Sequence, residues 1–592
     1  MRVAFKNKKL EQTLIGINVL AGIAVVATFV ALFGFTQPLL PTRILYILQG
    51  ILLLIFVTEK IIRFFNVVSL KELWQLDWYE VPLLVALVSV LLGAKQWFGP
   101  QEAAGVRHFA ISIYLVVEVV VKSCRTVIAL ASAGKSPTIT LIASFVVLII
   151  SGAGLLMLPR ASVTGQSLSF TDALFTSTSA TCVTGLVVKN VGKDFSLMGQ
   201  IVILSLIQLG GLGIVIFGAV FALLLGQALS IRESVAMKDL LSSETLGQIG
   251  RMIAFIFAAT VLIESAGALA LFHMWDNVPS WSGGTKHQWF CTVFHSVSAF
   301  CNAGFSLFSN NLIDYSRCWA VYVVICPLII LGGLGFGVLF DLFSIAVERI
   351  KKFFVKLIYR PSLFSIAMPR RMNLQSKIVL SMTALLIIFG MFFIVLFENL
   401  TGSAESQSVL DAFFQSVTAR TAGFNTVDIS KLAAPSQIIL ILLMFIGGSP
   451  GGTAGGIKTV TLAVIIMAAV TTLKKRDDVE IFGRAVRFII IRRAITITLL
   501  FILILFSAAL ALSITERSNH FTMMQIMFET VSALGTVGLT TGITGSLTTA
   551  GKLIIIIVML IGRLGPLTLL ASLTFNLKPA RYHYPEEAVM VG

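Results

Sequence analysis

The sequence predicts an all-α polytopic membrane protein in which four repeats of helix, re-entrant pore loop and helix follow an amino-terminal membrane bundle of four helices. Of its 592 residues, 57% are hydrophobic and 12% are charged, about half the charged fraction typical of soluble proteins. Many apolar runs approach or exceed the ~18–20 residues that cross ~30 Å of hydrocarbon. One polar, glycine-bearing motif also occurs four times at nearly one interval.

The positive charges of the chain are explained by its orientation in the membrane and do not indicate binding of nucleic acid. The net charge is +16, and Lys and Arg cluster in the short segments between apolar runs, as the positive-inside rule expects. These clusters fall on one side only if the four polar loops re-enter without crossing the membrane. We therefore expect twelve spans in the plasma membrane, both termini cytoplasmic, and no binding of nucleic acid.

Residues 1–134 are expected to form the amino-terminal bundle. Its four apolar runs lie near 14–35, 44–62, 80–98 and 108–130. The first run is longer than the core of a signal peptide and has no clear cleavage site, so it is interpreted as a retained span.

Residues 135–592 are predicted to form a pore domain of four copies and a carboxy-terminal tail. The copies cover about 135–230, 231–350, 351–480 and 481–580. Each copy is expected to contain a first span, a polar loop with half a helix, and a second span. The first spans are expected near 139–158, 250–273, 376–398 and 490–513, and the second spans near 198–226, 319–345, 436–473 and 551–575.

The repeated motif runs from an aromatic residue through Ser, Thr and Ala to a glycine, at intervals of 119, 119 and 115 residues. Glycine permits backbone angles that turn carbonyls inward, and carbonyls can replace the water around a monovalent cation. A half-helix stopping at mid-membrane points its negative end at such an ion. The motifs carry no ring of Asp or Glu, which argues against a divalent ion.

A single motif of this kind would indicate close helix packing through small residues, but four matching copies favour one selectivity filter. The predicted K⁺ ligands are Gly185, Gly304, Gly423 and Gly538. The other predicted filter residues are Thr184, Ala303, Ala422 and Val537, with Cys182, Val183, Cys301, Asn302, Thr421 and Thr536 as flanks.

A second glycine-rich feature follows each filter by 24 to 28 residues. Copies one and two are expected to keep plain glycine-rich helices here. Copy three cannot be a continuous helix, because Pro450 and several glycines disfavour it. Its segment is a candidate gate, with an ordinary kink as the alternative, and Ile457 interrupts the Gly-Lys-Ser/Thr of a phosphate loop. The predicted gate residues are Gly447, Gly448, Ser449, Gly451, Gly452, Thr453, Ala454, Gly455, Gly456 and Lys458.

Copy four carries Arg563 inside an otherwise apolar span. A charge at that depth costs at least ~2.5–3.5 kcal/mol on insertion scales, so it should face the ion path. There it would act as a barrier to cations. The alternative is a structural partner for a carboxylate or a helix end.

These residues resemble the Trk/Ktr/HKT superfamily of potassium transporters, in particular its KtrB/TrkH-type membrane subunits. The resemblance covers about residues 138–592 and rests on the four filters, on Ala419–Asp428, on Gly447–Thr461 and on the end Tyr584–Gly592. It implies four M1–P–M2 repeats around one pore, a homodimer with Gly592 near its interface, and a cytoplasmic TrkA/KtrA-type regulatory ring. Nucleotide is expected on that partner only. Glycine rather than serine at Gly185 implies K⁺ selectivity.

The predicted function is K⁺ uptake through a channel-like pore gated by the copy-three segment and the regulatory subunits. The alternatives are a cation symporter coupled to Na⁺ or H⁺, and a secondary transporter of a small solute. An enzyme is not expected, because the histidines show no metal-ligand spacing such as HExxH. No cofactor is expected, and K⁺ enters as substrate. The six cysteines form no CxxC and should be reduced thiols.

Overall fold

The protein is described by a computed structural model. Its described residues form helices almost throughout, with one two-stranded hairpin, Glu480–Ile481 and Arg484–Ala485, between the helices Thr459–Leu473 and Phe488–Thr515. The structure describes residues 6–68, 80–133, 137–213, 249–277, 285–358, 371–402, 408–476 and 478–566. The predicted carboxy-terminal tail with Gly592, and the inner ends of the second spans of copies one and four, lie outside these residues.

The amino-terminal region consists of helices Lys8–Phe33, Thr42–Asn66 and Glu80–Ala133. The last of these contains two helical stretches joined at Gly99, where φ is +82° and ψ is 162°. The stretches pack around a small apolar core that includes the fully buried Phe56. Charged side chains of the same helices form a network of ion pairs within the bundle.

That network surrounds Glu59 and Glu118, whose side chains are 2% and 1% exposed. Lys122 pairs with both carboxylates, at 3.4 and 3.2 Å, and Lys60 pairs with Glu118 at 3.1 Å. Arg63 pairs with Glu59 at 3.1 Å. Side chains of opposite sign therefore satisfy the charges that this bundle buries, as burial of an ion requires.

Four long helices match the predicted first spans: Pro137–Leu156, Ile249–Leu271, Leu374–Thr401 and Phe488–Thr515. Each is followed by a shorter helix, here called half-helix 1 to 4. The half-helices are Phe170–Thr181, Thr285–Phe300, Val409–Thr418 and Met523–Gly535.

Hydroxyl side chains begin three of the half-helices. Ser408 accepts from the backbone of Leu410, and Thr522 forms a reciprocal capping box with Gln525. In half-helix 1 the cap is Ser169. Asp172 lies within the first turn of this half-helix, where its carboxylate faces the positive end of the dipole.

Three half-helices are fixed to the preceding span by the same hydrogen bond. A serine hydroxyl donates to a span carbonyl at 2.7 to 2.8 Å, and a glycine three residues further along the span leaves room for the hydroxyl. A Cβ at that glycine would collide with the serine oxygen. The serine–carbonyl pairs are Ser177–Ile149, Ser296–Glu264 and Ser416–Ile387, with glycines Gly152, Gly267 and Gly390.

The second spans are shorter or broken. Their helices are Leu197–Leu212, Cys326–Leu334 after a π-helical turn Val321–Ile325, Ala434–Phe445 with Thr459–Leu473, and Thr549–Leu564. Copy two continues in Phe336–Ile358, but that helix is bent by 103° from its predecessor. The expectation of a plain span at 319–345 is wrong, because Gly335 takes φ +88° and stops the helix.

Smaller elements complete the described chain. They are the four-residue helix Val191–Asp194 and short 3-10 turns at Pro159–Ala161, Phe272–Asn277, Ile313–Tyr315, Ile429–Lys431, Arg517–Asn519 and Thr544–Ser546. The five cysteines with described side chains are free thiols, in agreement with the prediction.

By length and apolar composition, six helices within the described residues can cross a membrane, or seven if the bent pair of copy two is one span. The prediction of a multi-pass helical membrane protein is confirmed. The number twelve stays a prediction, since it also needs the shorter second spans and segments outside the described residues.

Candidate functional site

Each half-helix ends in a short loop that carries one of the four motif glycines. These are called loop 1 (182–186), loop 2 (301–305), loop 3 (420–424) and loop 4 (535–539). Their residues are buried, and they lie at the carbonyl ends of the four half-helices. The helix dipoles therefore place partial negative charge at all four loops.

The Ser or Thr that precedes each motif alanine holds its loop against the half-helix. Its carbonyl accepts from the residue before the motif glycine, at 2.7 to 2.9 Å in all four copies. Its hydroxyl makes a second bond, to the glycine N–H in loops 1 and 4 and to the following aromatic carbonyl in loops 2 and 3. The four residues are Ser179, Ser298, Thr418 and Ser532. The repeated Ser/Thr of the sequence is thus a structural anchor for the loop.

The loop backbones are strained at equivalent places. In every copy φ is positive both at the motif glycine and at the residue two positions before it. The earlier residue is never glycine, so each left-handed conformation there costs about 1–2 kcal/mol. The residue pairs are Val183 with Gly185, Asn302 with Gly304, Thr421 with Gly423, and Thr536 with Gly538. Such strain persists only where surrounding contacts fix it, and it is typical of functional sites.

The four loops meet in a closed ring. A Cβ on Gly185 would lie 2.5 Å from the carbonyl oxygen of Ala303, and one on Gly304 would lie 2.7 Å from that of Ala422. A Cβ on Gly423 would likewise collide with the carbonyl oxygen of Val537, and one on Gly538 with that of Thr184. Loop 1 thus touches loop 2, loop 2 touches loop 3, loop 3 touches loop 4, and loop 4 returns to loop 1. Only glycine fits at these four positions.

The ring is lined by backbone carbonyls and small side chains. No His, Cys, Asp or Glu cluster that could hold a metal ion occurs among the described residues. The buried hydroxyls of three loop threonines, Thr184, Thr421 and Thr536, have no hydrogen-bond partner. This donor set of carbonyls and hydroxyls suits a dehydrated monovalent cation, in agreement with the chemistry of the motif.

In loops 2 and 4 a side chain of the half-helix holds the outgoing strand of the loop, and the role of Glu529 was not predicted from the sequence. His295, in half-helix 2, bonds Ser306 at 3.0 Å, and Glu529, in half-helix 4, accepts from Thr540 at 2.8 Å and also from Thr544. Both titratable side chains are fully buried. The available signal was the motif's second position, which reads Thr, His, Gln and Glu in the four copies.

The interrupted segment of copy three, Gly447–Lys458, is called the interrupting loop. It turns back on itself, so that Ile457 N–H donates to Phe445 O at 3.2 Å, while Ser449 and Thr453 reach across to copy two. Ser449 Oγ donates to Gly333 O at 2.6 Å, and Thr453 Oγ1 donates to Gly332 O at 3.1 Å. The prediction that this segment breaks the helix is confirmed by the gap between Phe445 and Thr459.

The interrupting loop lies directly beside the ring. A Cβ on Gly455 would meet the Thr536 hydroxyl of loop 4, and one on Gly452 would lie 3.1 Å from Gly335 Cα. The loop therefore packs against loop 4 and against the bend of copy two. Every residue predicted for the filter and the gate belongs to one continuous region of the molecule.

Two cations face carbonyls of this region. Lys458 Nζ donates to Ala454 O at 2.6 Å within the interrupting loop. Arg563 donates to Thr453 O in the same loop and to Gly210 O and Gly211 O at the end of the copy-one helix. Arg563 thus joins copies one, three and four through backbone carbonyls, as in the alternative of a helix-end partner, and its role as a barrier stays a prediction.

A further polar cluster behind loop 2 was not predicted. Glu264, on the first span of copy two, accepts from Gln208 Nε2 at 3.2 Å and lies 3.8 Å from the Cys301 thiol. Copies one and three carry Ile149 and Ile387 where copy two has Glu264. The flanking cysteine of loop 2 therefore packs against a carboxyl inside the membrane region.

Comparison with known proteins identifies the family. A family model described as TrkH, cation transport protein, matches residues 106–580. The chain belongs to the TrkH family of cation transport proteins. It is a transporter rather than an enzyme, as predicted, and the match begins two residues before the fourth apolar run of the amino-terminal region.

Relatives support this membership along most of their own length. The Ktr system potassium uptake protein B of Bacillus subtilis is 38% identical over 463 residues, covering 77% of this chain and 97% of that protein. The potassium/sodium uptake protein NtpJ of Enterococcus hirae is 37% identical over 464 residues, with coverage of 77% and 97%. These values confirm the resemblance to KtrB-type members of the superfamily.

The fold is also similar to a solved structure. The crystal structure of the potassium transporter TrkH from Vibrio parahaemolyticus aligns with a TM-score of 0.57 at 18% identity, covering 84% of this chain and 96% of that chain. At this identity the likeness concerns the fold. A TrkH-type helical membrane fold is therefore common to both proteins.

Proposed function

We propose that this TrkH-family member takes up potassium across the plasma membrane through one channel-like pore. The observation that carries the proposal is the closed ring of the four loops, in which each motif glycine abuts a carbonyl of the next loop. A ring of carbonyls at the negative ends of four half-helices offers a desolvated monovalent cation the oxygens that it loses from water. The names of the relatives, which are potassium uptake proteins, agree with this.

The architecture proposed is four M1–P–M2 repeats around the ring axis. Its support is the repeated order of long helix, half-helix, loop and second helix, together with the serine–carbonyl bond shared by three copies. In this arrangement Gly185, Gly304, Gly423 and Gly538 bind K⁺, and the loop residues around them act as the filter.

Selectivity for K⁺ over Na⁺ is attributed to the intact glycine ring. A side chain at Gly185 would displace the Ala303 carbonyl, because it would approach within 2.5 Å of that oxygen. Four unobstructed glycines let the carbonyls surround K⁺, which is larger than Na⁺ and loses its water more easily.

The interrupting loop is proposed as the gate, and Arg563 of copy four, which contacts that loop, as a charged barrier beside it. The loop is held closed by hydrogen bonds to Gly332 and Gly333 of copy two and by the Arg563 guanidinium bonded to the Thr453 carbonyl. These are single hydrogen bonds, each contributing about 0.5–1.5 kcal/mol, or somewhat more where the donor is charged. A partner that pulls on copy two or copy three could open the loop at modest cost.

Membership of the Ktr/Trk family implies association with regulatory subunits. We propose the specific form of a homodimer resting on a cytoplasmic, nucleotide-binding TrkA/KtrA-type ring, with nucleotide bound by the ring. We also propose that both termini are cytoplasmic, and the clustering of Lys and Arg between spans supports this orientation.

The test is ion-resolved flux in reconstituted vesicles. Wild-type protein should pass K⁺ and Rb⁺ well above Na⁺, whereas Gly185→Ser should narrow that difference by admitting Na⁺. Gly154→Ser is the matched control, because a Cβ at Gly154 meets nothing within 4 Å. Equal K⁺ and Na⁺ flux through wild-type protein would overturn the selectivity proposal.

A second candidate is a symporter that couples K⁺ to Na⁺, and it is favoured by the name of the Enterococcus relative, a potassium/sodium uptake protein. It predicts that an inward Na⁺ gradient drives K⁺ above its own electrochemical equilibrium. A channel-like pore predicts that K⁺ stops at equilibrium whatever the Na⁺ gradient, so one vesicle assay separates the two.

A further inference from the structure

A helix at the bend of copy two has a surface that the pore does not use. This basic helix, Phe336–Ile358, is turned by 103° from the helix that precedes it, so it runs across rather than along the direction of that span. Its first N–H, from Phe336, donates to Gly451 O of the interrupting loop at 3.1 Å. The helix therefore starts beside the pore and extends away from it.

The depth of the basic helix is fixed by the neighbouring span. Asp341, which is 2% exposed, accepts from Asn373 N–H at 3.1 Å and from Ser376 Oγ at 2.8 Å. Asn373 is the residue that directly precedes the span Leu374–Thr401, so the basic helix passes the very beginning of that span. The beginning of a membrane span lies at the boundary between hydrocarbon and headgroups.

The far end of the basic helix leaves the protein body. All six residues from Arg349 to Phe354 are exposed. Phe343, Ile350 and Phe354 lie at helical spacing on one side and are 53%, 54% and 53% exposed. Such an apolar stripe is unfavourable in water and requires an apolar medium or partner.

Basic side chains flank this stripe. Arg349 and Lys351 are exposed, and Lys352 pairs with Glu348 on the same helix, so the segment keeps a net positive charge. In hydrocarbon each unpaired charge would cost about 2.5–3.5 kcal/mol. The Phe/Ile stripe needs an apolar medium and the neighbouring Arg and Lys need a polar one. Both needs are met at the boundary of the bilayer, where the rings enter the acyl region and the charges stay among the headgroups.

We infer that the basic helix is an in-plane anchor that binds anionic lipid headgroups through Arg349 and Lys351 while Phe343, Ile350 and Phe354 insert into the acyl boundary. The ligand class is the phosphate-bearing anionic headgroup of a membrane lipid. The occupant is lipid rather than a regulatory protein, because the exposed stripe and the charges lie at the membrane boundary fixed by Asp341.

The experiment measures lipid retention, which does not depend on ion flux. The full chain is reconstituted in phosphatidylcholine vesicles with phosphatidylglycerol added, then extracted, and the phosphatidylglycerol that stays bound is quantified by native mass spectrometry. Arg349→Gln with Lys351→Gln should lower the affinity about fivefold for each charge removed, since a basic residue near an anionic surface contributes about 1 kcal/mol. Ile350→Ser with Phe354→Ser should lower retention as well, without a change in charge.

A control variant and two contrary results test the inference. Lys474→Gln with Lys475→Gln removes two exposed charges that follow another helix, and it should leave retention unchanged. If that control loses as much lipid, net charge alone explains binding and the inference is overturned. Unchanged retention in the Arg349/Lys351 variant, together with weaker binding of a soluble regulatory ring, would overturn it in favour of a protein partner. K⁺ flux measured in phosphatidylcholine alone reports the proposed function separately.

Discussion

The amino-terminal bundle and the four-loop ring bury polar groups in opposite ways. The bundle buries Glu59 and Glu118 and satisfies them with Lys60, Arg63 and Lys122. At the ring, half-helix dipoles, loop carbonyls and threonine hydroxyls provide the polarity. Side chains of opposite charge neutralise one another permanently, whereas a ring of neutral oxygens keeps its affinity for a passing cation.

The difference extends to the charges beside the ring. Lys458 bonds to a carbonyl of the interrupting loop, and Arg563 bonds to carbonyls of that loop and of the copy-one helix end. In the bundle, by contrast, the buried cations pair with carboxylates. A carbonyl partner holds a cation less strongly than a carboxylate does, since only one member of the bond is ionised. The bundle thus pairs its buried charges with one another, whereas the two cations beside the ring bond to neutral carbonyls.

The largest expected effect is at the ring itself. Gly423→Ala should reduce K⁺ flux about tenfold or more, because its Cβ would collide with the Val537 carbonyl at a φ of +79° that L-residues rarely adopt. Rb⁺ uptake into vesicles measures the loss. Gly250→Ala is the control, as a Cβ there meets nothing within 4 Å. Normal flux in Gly423→Ala would show that the ring tolerates displacement of its carbonyls.

A smaller effect of opposite sign is expected at the charged partner of the interrupting loop. Arg563→Gln should raise cation flux several-fold, because it removes the proposed positive barrier and weakens the bonds to Thr453, Gly210 and Gly211. Flux in the absence of a regulatory ring is the measurement, with the exposed Arg517→Gln as control. If Arg563→Gln lowers flux, the guanidinium supports the open path instead.

In the bundle we expect an effect on stability and none on transport. Glu59→Gln should lower the free energy of unfolding by about 2–3 kcal/mol, below the usual range for a broken buried pair because Glu118 and Glu11 still partner Lys122 and Arg63. Thermal unfolding in detergent measures this, against the exposed Glu480→Gln. A change in K⁺/Na⁺ ratio per folded protein would contradict the division between the two regions.

The smallest effect concerns an ion pair that ties copy one to copy four. Lys552 Nζ contacts Asp172 at 2.7 Å at the start of half-helix 1. Burial alone would raise the pKa of Asp172, but the hydrogen bond and charge of Lys552 hold it below its ordinary value. Because that pKa is lowered on folding, the pair stabilises the protein above about pH 4 and is lost as the pH falls through the lowered pKa.

Asp172→Asn should therefore cost about 1 kcal/mol of stability near neutral pH, since the pair is largely but not fully shielded from water. The difference from wild type should vanish in acid. Unfolding followed at neutral and acidic pH gives the comparison, and a difference that persists at the lowest pH would assign the effect to lost packing.

Much of this molecule follows from sequence alone because the signals are local. Apolar runs gave the four first spans within about three residues at each end, and Pro450 with its neighbouring glycines gave the break in copy three. The four motif glycines of the ring were found from a periodicity, since each copy needs a residue that tolerates a positive φ at the same position. The hydroxyl anchors such as Ser179 and Ser532 belonged to the same motif, although their bonds did not follow from it.

Features formed between distant parts of the chain were decided by tertiary structure. The closing contact of the ring joins Gly538 to Thr184, and Arg563 finds its partners at Gly210 and Thr453. The 103° bend at Gly335 also differs from the plain span that its apolar run predicts, because a glycine-rich stretch permits either course and packing against the interrupting loop selects one. Sequence thus determined which residues can line a cation path, since backbone freedom and apolar length are properties of each segment. Only the fold determined which carbonyl faces which glycine, since that depends on contacts across hundreds of residues.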